Sequence, residues 1–396
     1  MDPRTAARDR IDASRDALVD LSRQIHATPE VGFSEFVSAA AVADALELAG
    51  LRVERGICDM PTAFAARAGS GPLRIAICAE YDALPAVGHA CGHNIISAAA
   101  VGAGIGLAAV ADAIGIEVVV LGTPSEEGGG GKILLLERGG FDGVNAAMMV
   151  HPAPFETGDM PMIAATHFTV TYRGKEAHAA AFPELGVNAS DALTVAQVAV
   201  GLLRQQLPPD VRVHGIVIKG GDAMNIIPAE TRIEYMVRSS TLAGLEAAKA
   251  RVLACFEAGA IATGCSMESM QAGPDYAEVR ADPDLLAAWE RNARALGRHP
   301  WPDTGPVPTP ASTDMGNVSL VIPSIHPAMS LDCYPVVNHQ PEFAAACATP
   351  VADRAAIDGA IGMAWTAIDA ATDPALRERL LAREFRAAGT GGGDAR

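Results

Sequence analysis

Apolar residues recur at helical spacing near the start of the chain and then give way to short continuous apolar runs. This pattern predicts helices at 9–27, 34–49, from about 94, and at 131–138. The apolar runs predict strands at 62–68, 73–79, 116–121 and 146–150. Strands that alternate with helices are typical of an α/β domain in which helices cover both faces of a mostly parallel sheet.

The order of elements changes near residue 164. The next predicted elements are a strand at 165–173, a helix at 188–206, strands at 211–219 and 230–238, a helix at 241–262 and a strand at 265–270. This β-α-β-β-α-β order is typical of a small α+β sandwich with an antiparallel sheet. We therefore expect one domain formed by residues 1–163 and 277–396, with a second domain at 164–276 inserted into it. The segment 389–396 is predicted to be a disordered tail.

Length, charge and cysteine content narrow the class of protein. A chain of 396 residues is expected to form about two domains. A formal charge of −17 argues against nucleic acid or an anionic membrane as a partner. The segment 95–111 is uncharged but rich in Ala and Gly, which favours a buried core helix over a membrane span. Seven scattered cysteines and an N-terminus without an apolar signal region favour a cytoplasmic protein with reduced thiols.

Three groups of candidate metal ligands follow predicted strands. Cys91 and His93 lie after the strand at 73–79, Glu126 and Glu127 after the strand at 116–121, and His151 after the strand at 146–150. Each group alone is weak evidence, because buried Cys and His are often structural and paired glutamates usually face solvent. Open α/β sheets place their sites at the carboxyl ends of strands. Together the groups predict a transition-metal site with a carboxylate placed for hydrolysis.

The chain contains the motifs AEYDALP at 79–85, GHACGHN at 88–94, GTPSEEGGGGK at 122–132, HP at 151–152, GKEAHAA at 174–180, NIIPAE at 225–230, VR at 237–238 and STDMGNVS at 312–319. In combination these motifs resemble the metal-dependent aminoacylase and carboxypeptidase family, a group of zinc peptidases and amidohydrolases. The chain looks most similar to the branch that holds the aminobenzoyl-glutamate hydrolase B subunit and β-alanyl-lysine dipeptidase. The resemblance implies a zinc-peptidase-like fold with two divalent metal ions, for which Zn²⁺ and Mn²⁺ both stay open.

The resemblance also implies roles for individual residues. The metal ligands would be Cys91, His93, Glu127, His151 and His339, with His326 as the rival for the last of these. Glu126 would be the general base, and Asp82 would orient a ligand histidine.

The resemblance implies that residues 1–163 and 277–396 form the catalytic metal-binding domain and that residues 164–276 form a lid or dimerisation domain. Further roles are implied for residues of this inserted domain. His178 would reach the active site of a partner subunit and stabilise the oxyanion, which implies a homodimer. Asn225 and Arg238 would hold the substrate carboxylate, although an ordinary salt bridge of Arg238 stays open as the alternative.

The expected activity is hydrolysis of the amide bond of N-acyl amino acids or unusual dipeptides with a free carboxylate. Aminobenzoyl-glutamate and β-alanyl dipeptides are examples of such small-molecule substrates. The alternative is a non-catalytic relative that binds a ligand or a partner subunit on the same scaffold. The set of ligands with a carboxylate base beside them argues against that alternative.

Overall fold

The computed structural model describes residues 2–299 and 310–385, and the predicted tail at 389–396 lies outside them. The chain forms two compact units. The first consists of Met1–Pro161 and Val279–Arg396, and the second consists of Met162–Glu278. Among the described residues, no helix combines the length and the apolar character that crossing a membrane requires.

The first unit contains a six-stranded sheet and a separate two-stranded sheet. Its strands are β1 (Arg52–Arg55), β2 (Phe64–Gly69), β3 (Leu73–Ala79), β4 (Ile116–Gly122), β5 (Ala146–Met148), β6 (His151–Ala153), and, after the second unit, β11 (Ser324–Ile325) and β12 (Ala328–Ser330). The larger sheet has the order β1-β2-β4-β3-β5-β11, and β12 pairs with β6. Strands β4, β3, β5 and β11 are parallel, β2 pairs antiparallel with β4, and β1 pairs antiparallel with β2.

Helices form the rest of the first unit. They are α1 (Pro3–Ala13), α2 (Arg15–Ala27), α3 (Phe36–Leu48), α4 (His93–Ala108), α5 (Ala111–Ile114), α6 (Gly131–Glu137), α9 (Pro283–Ala295), α10 (Met315–Val321), α11 (Pro341–Ala346), α12 (Pro350–Thr372) and α13 (Pro374–Leu381). Helix α4 packs against β3 and β4 of this sheet. It is buried from its first residue to Leu107, because small Ala and Gly residues let neighbouring elements approach on every side. Hence the uncharged segment at 95–111 contributes a core helix.

The second unit is a four-stranded antiparallel sheet covered by two helices. Its elements are β7 (Ala164–Arg173), α7 (Ala189–Leu203), β8 (Arg212–Lys219), β9 (Glu230–Ser239), α8 (Leu242–Thr263) and β10 (Ser266–Gln271). The strand order is β10-β7-β9-β8. Alternate residues of β7 are buried, which is the period-two burial of a sheet with one covered face. Phe168, Tyr235 and Phe256 pack together in its core.

The predicted fold class is confirmed, and two elements differ from the sequence prediction. The helix expected at 9–27 is two helices that meet at Ser14, whose φ of −100° and ψ of 3° depart from helical geometry. The strand expected at 146–150 ends at Met148, and His151 begins a separate short strand. The functional roles expected for 164–276 stay predictions.

Candidate metal centre

The carboxyl ends of two adjacent parallel strands carry most of the candidate site. Strand β3 ends at Ala79 and leads directly into Glu80 and Asp82, and β4 ends at Gly122, shortly before Glu126 and Glu127. Ala79 and Gly122 are partners across the parallel ladder, so both loops leave the same edge of the sheet. This edge is where an open α/β sheet forms a crevice for ligands.

His93 is held in a fixed orientation by Asp82. Its Nδ1 lies 3.0 Å from Asp82 Oδ1, and both side chains are fully buried. Burial opposes the charged imidazolium, but the Asp82 and Glu80 carboxylates outweigh this and raise the pKa of His93 well above its usual value. Asp82 Oδ2 accepts the backbone N–H of Glu127 at 3.0 Å. Asp82 therefore positions two predicted ligands and leaves His93 Nε2 directed into the site.

His151 has the same arrangement with a different partner. Its Nδ1 lies 2.8 Å from the Pro152 carbonyl oxygen, and its Nε2 lies 3.5 Å from Cys91 Sγ. Burial lowers the pKa of His151 and so favours the neutral ring that metals bind. Gly92 makes this approach possible, because it has φ +80° and any Cβ there would overlap the Pro152 ring.

Cys91 belongs to two candidate metal-binding triads. One contains Cys91, His93 and His151, and the other contains Cys91, Glu127 and His339, with all ligand atoms of a triad within 4.8 Å of one another. Burial, together with the carboxylates of Glu127 and Glu126, raises the pKa of the Cys91 thiol well above its usual range. A thiolate at this position therefore requires a cation close by.

Glu126 and Glu127 differ in their surroundings. Burial and the neighbouring carboxylates of Glu80 and Glu127 raise the pKa of Glu126 well above its usual value. Glu127 Oε1 lies 3.4 Å from His339 Nε2, and the His339 side chain is 57% exposed. Glu126 Oε2 lies 3.9 Å from His93 Nε2. A buried carboxylate beside the candidate ligands fits a proton acceptor that becomes effective when cations neutralise the cluster.

The structure separates the two candidates for the last ligand. His339 lies in a triad with Cys91 and Glu127, while His326 belongs to none of the triads found among the described residues. His326 is fully buried, with its ring centroid 5.3 Å from that of His151. Burial lowers the pKa of His326 to about 3. This geometry favours His339, whose role as a ligand stays a prediction.

Sequence reasoning missed two groups of buried residues that support the site. Glu35 is fully buried, and its Oε1 accepts the backbone N–H of Ser125 at 2.8 Å. Lys132 is also fully buried and forms ion pairs with Glu80 and Asp314. Lys132 lies within the GTPSEEGGGGK motif, but nothing in the sequence indicates its partner 182 residues away.

The predicted residues of the second unit form a cluster of their own. The backbone segment around His178 pairs with the segment around Asn225, through an Ala179 N–H bond to the Asn225 carbonyl at 3.0 Å. His178 and Asn225 are both exposed. His178 Nδ1 accepts the backbone N–H groups of Ala180 and Ala181, each at 3.2 Å, which leaves Nε2 as the protonated donor. Arg238 lies near the end of β9, half-buried, and burial lowers its pKa.

The donors in the first unit fit divalent metal ions. The set combines one thiol, three imidazoles and carboxylates, which suits Zn²⁺ and related transition metals. His93 Nε2 is buried and makes no hydrogen bond within the described part of the chain, although its Nδ1 is bonded to Asp82. A buried nitrogen oriented in this way is a ready metal ligand.

Comparison with known proteins identifies relatives across almost the whole chain. The M20 peptidase dimerisation domain matches residues 164–263. The Xaa-Arg dipeptidase of Mus musculus is 37% identical over 96% of this chain and 91% of its own length. The p-aminobenzoyl-glutamate hydrolase of Escherichia coli, in its B subunit, is 34% identical over 66% of this chain and 58% of its own length.

A solved structure shows the same fold at lower sequence identity. It is a dinuclear metal-binding peptidase of the M20 family from Bacillus subtilis, with a TM-score of 0.63 and 21% identity. The alignment covers 88% of this chain and 98% of that protein. The resemblance inferred from the sequence motifs is thereby confirmed.

Proposed function

We propose a specific reaction for this chain, which belongs to the M20 peptidase family and is a hydrolase of amide or peptide bonds. The reaction is cleavage of a dipeptide, or of a related N-acyl amino acid, that carries a free C-terminal carboxylate. It would use two divalent metal ions. The observation that carries this proposal is the membership of Cys91 in two ligand triads at one edge of the sheet.

Five residues would hold the two ions. Cys91, His93 and His151 would bind one, while Cys91, Glu127 and His339 would bind the other. Bound divalent ions of this kind supply Lewis-acid polarisation of a carbonyl group and lower the pKa of water. Asp82 keeps His93 and Glu127 in place through its two carboxylate oxygens.

Glu126 would move the proton that the reaction requires. It would accept a proton from the attacking water and later deliver it to the leaving amine. The pKa of Glu126 is raised by burial and by adjacent carboxylates. The protonated form of this side chain, which would arise after the first proton transfer, is therefore low in free energy. The same raised proton affinity makes it a competent acid for the second half of the reaction.

The second unit would supply substrate recognition. Arg238 has the planar guanidinium that binds a carboxylate through two hydrogen bonds, and Asn225 would assist it. The Nε2–H of His178 would stabilise the oxyanion in the partner subunit of a homodimer. The match of residues 164–263 to a peptidase dimerisation domain supports the dimer.

Dipeptides with a C-terminal arginine are the first substrates to test. The mouse relative named for Xaa-Arg dipeptides covers nearly the whole chain, whereas the aminobenzoyl-glutamate hydrolase match covers two thirds of it. A cytoplasmic location is part of the proposal, supported by the seven cysteines, all of which are free thiols.

Amine release across a panel of amides tests this function. The panel contains Xaa-Arg and β-alanyl dipeptides, aminobenzoyl-glutamate and N-acetyl amino acids, each assayed with Zn²⁺ and with Mn²⁺. The C-terminal amide of each dipeptide is the matched control, because it lacks the carboxylate. The proposal expects turnover of at least one free acid and little turnover of its amide. Absence of turnover across the panel with both metals would contradict it.

A further inference from the structure

Glu80 directs towards the metal-ligand cluster a carboxylate oxygen that accepts no hydrogen bond from the described part of the chain. It follows β3 directly, and its side chain is fully buried. Its Oε2 lies 3.4 Å from His93 Nε2 and makes no hydrogen bond with any residue that the structure describes. A buried carboxylate oxygen that accepts no hydrogen bond is stabilised when a cation lies beside it.

The other oxygen of Glu80 is already held in place. Oε1 accepts a hydrogen bond from the ammonium of Lys132. The same ammonium lies 2.6 Å from Asp314 Oδ1, and the Lys132 backbone N–H donates to Asp314 Oδ2 at 2.9 Å. All three side chains are fully buried. One ammonium balances only one of the two carboxylates, so this buried group retains a net negative charge.

This arrangement is the one expected for a carboxylate that binds a metal. Carboxylate ligands are usually hydrogen-bonded through the oxygen that does not face the ion, and this bond fixes their orientation. Lys132 provides that bond, while a carboxylate oxygen of Glu80 lies within 4.8 Å of the ligand atoms of His93 and Glu126. Oε2 is the oxygen on the side of the ligand cluster, 3.4 Å from His93 Nε2.

We infer that Glu80 is a further metal ligand, which binds one of the two ions together with His93. The inference rests on the proposed function, because it adds a ligand to the same dinuclear site.

Metal binding by Glu80→Gln, with Asp314→Asn as the matched control, tests this inference. Both substitutions remove one negative charge from a carboxylate that contacts the Lys132 ammonium. Of these two carboxylates, only that of Glu80 has an oxygen facing His93. We would measure the metal content of the purified full-length proteins, the affinity for Zn²⁺ against a chelator, and the visible spectrum of the Co²⁺-loaded proteins.

The inference expects wild type to bind two ions per chain. In Glu80→Gln one ion should bind about 100-fold more weakly, and the Co²⁺ spectrum should change. In Asp314→Asn the affinity should fall by less than about 10-fold with an unchanged spectrum. If Glu80→Gln does not fold, Glu80→Asp retains the charge but shortens the side chain by one methylene, and the same loss is expected.

Two results would overturn the inference, and they have different meanings. Wild-type affinity and an unchanged Co²⁺ spectrum in the Glu80 variants would show that Glu80 is not a ligand and leave the proposed function intact. Wild-type protein that binds no Zn²⁺, Mn²⁺ or Co²⁺ would contradict both the inference and the proposed function.

Discussion

The carboxylate of Glu35 holds the backbone of Ser125 through a 2.8 Å hydrogen bond from the Ser125 N–H. Ser125 immediately precedes Glu126 and adopts φ +56°, a left-handed conformation that is unfavourable for a residue with a Cβ. Gly32 and Gly129 pack so closely against the Ser125 side chain that a Cβ on either would overlap it. The segment before α3 therefore fixes the loop that carries the proposed base.

Replacing Glu35 tests whether this contact positions Glu126. In Glu35→Ala the Ser125 N–H loses its acceptor, and we expect kcat to fall about 10- to 100-fold, the scale of a small misplacement of a catalytic group. Metal content should stay at the wild-type value, because Glu35 lies in neither ligand triad. Glu35→Gln retains an oxygen acceptor and should keep kcat within about threefold. Equal losses in both variants would contradict the positioning role.

Glu35 also predicts a dependence of stability on pH. Burial raises its pKa from 4.5 to about 7, with a smaller contribution from the Asp82 carboxylate. The folded protein thus binds this proton more tightly than the unfolded chain. The resulting stabilisation is fully present below pH 4.5 and is lost as the pH rises through about 7. At about 1.4 kcal/mol for each pH unit, the loss amounts to about 3 kcal/mol.

Denaturant unfolding of wild type and Glu35→Gln at pH 5 and pH 8 measures this effect. The amide side chain of the variant cannot ionise, so the wild type should lose up to about 3 kcal/mol of unfolding free energy relative to the variant between these two values. Taking the difference between the two proteins removes proton-linked changes that both share. A difference that is constant with pH would show that Glu35 titrates normally.

The shared position of Cys91 predicts a specific pattern of metal loss. Cys91 belongs to both triads, whereas His151 and His339 each belong to one. Cys91→Ser should therefore weaken the binding of both ions, while His151→Ala and His339→Ala should each lose one ion and retain the other. Metal analysis after dialysis against a weak chelator measures these contents. Retention of one tightly bound ion in Cys91→Ser would contradict a bridging thiolate.

A role for His178 in the partner subunit can be tested by mixing two inactive variants. His178→Ala and Glu126→Gln should each be inactive as homodimers. In a mixed dimer, one site would combine an intact Glu126 with the intact His178 of the other chain. Random mixing should then restore about a quarter of wild-type activity, because half of the dimers are mixed and each has one complete site. No recovery after verified exchange of subunits would place His178 in its own chain's site.

The sequence predicted the fold where local patterns were strong. The strand expected at 73–79 is found as Leu73–Ala79, and the helix expected from about 94 begins at His93. Such elements depend on the spacing of apolar residues within one segment, which is visible in the sequence. The break at Ser14 was not visible, because the helical spacing of apolar residues continues on both sides of it.

The buried residues that hold the site in place were harder to predict than the candidate ligands. Candidate ligands occur in short motifs at the ends of strands, and their chemistry is recognisable there. The bonds from Glu35 to Ser125 and from Asp314 to Lys132 join segments 90 and 182 residues apart. A buried Lys or Glu looks the same in sequence as an exposed one, since only the folded chain shows which charges are removed from water.

Glu126→Gln tests the central claim most directly, because Gln retains the size of the side chain and removes its basicity. Metal content and steady-state turnover of the most active dipeptide should be measured on the same preparation. The account predicts two bound ions, as in wild type, together with a loss of kcat of about 10²- to 10⁴-fold. Turnover near the wild-type rate in a fully metal-loaded variant would contradict the assignment of Glu126 as the group that moves the proton.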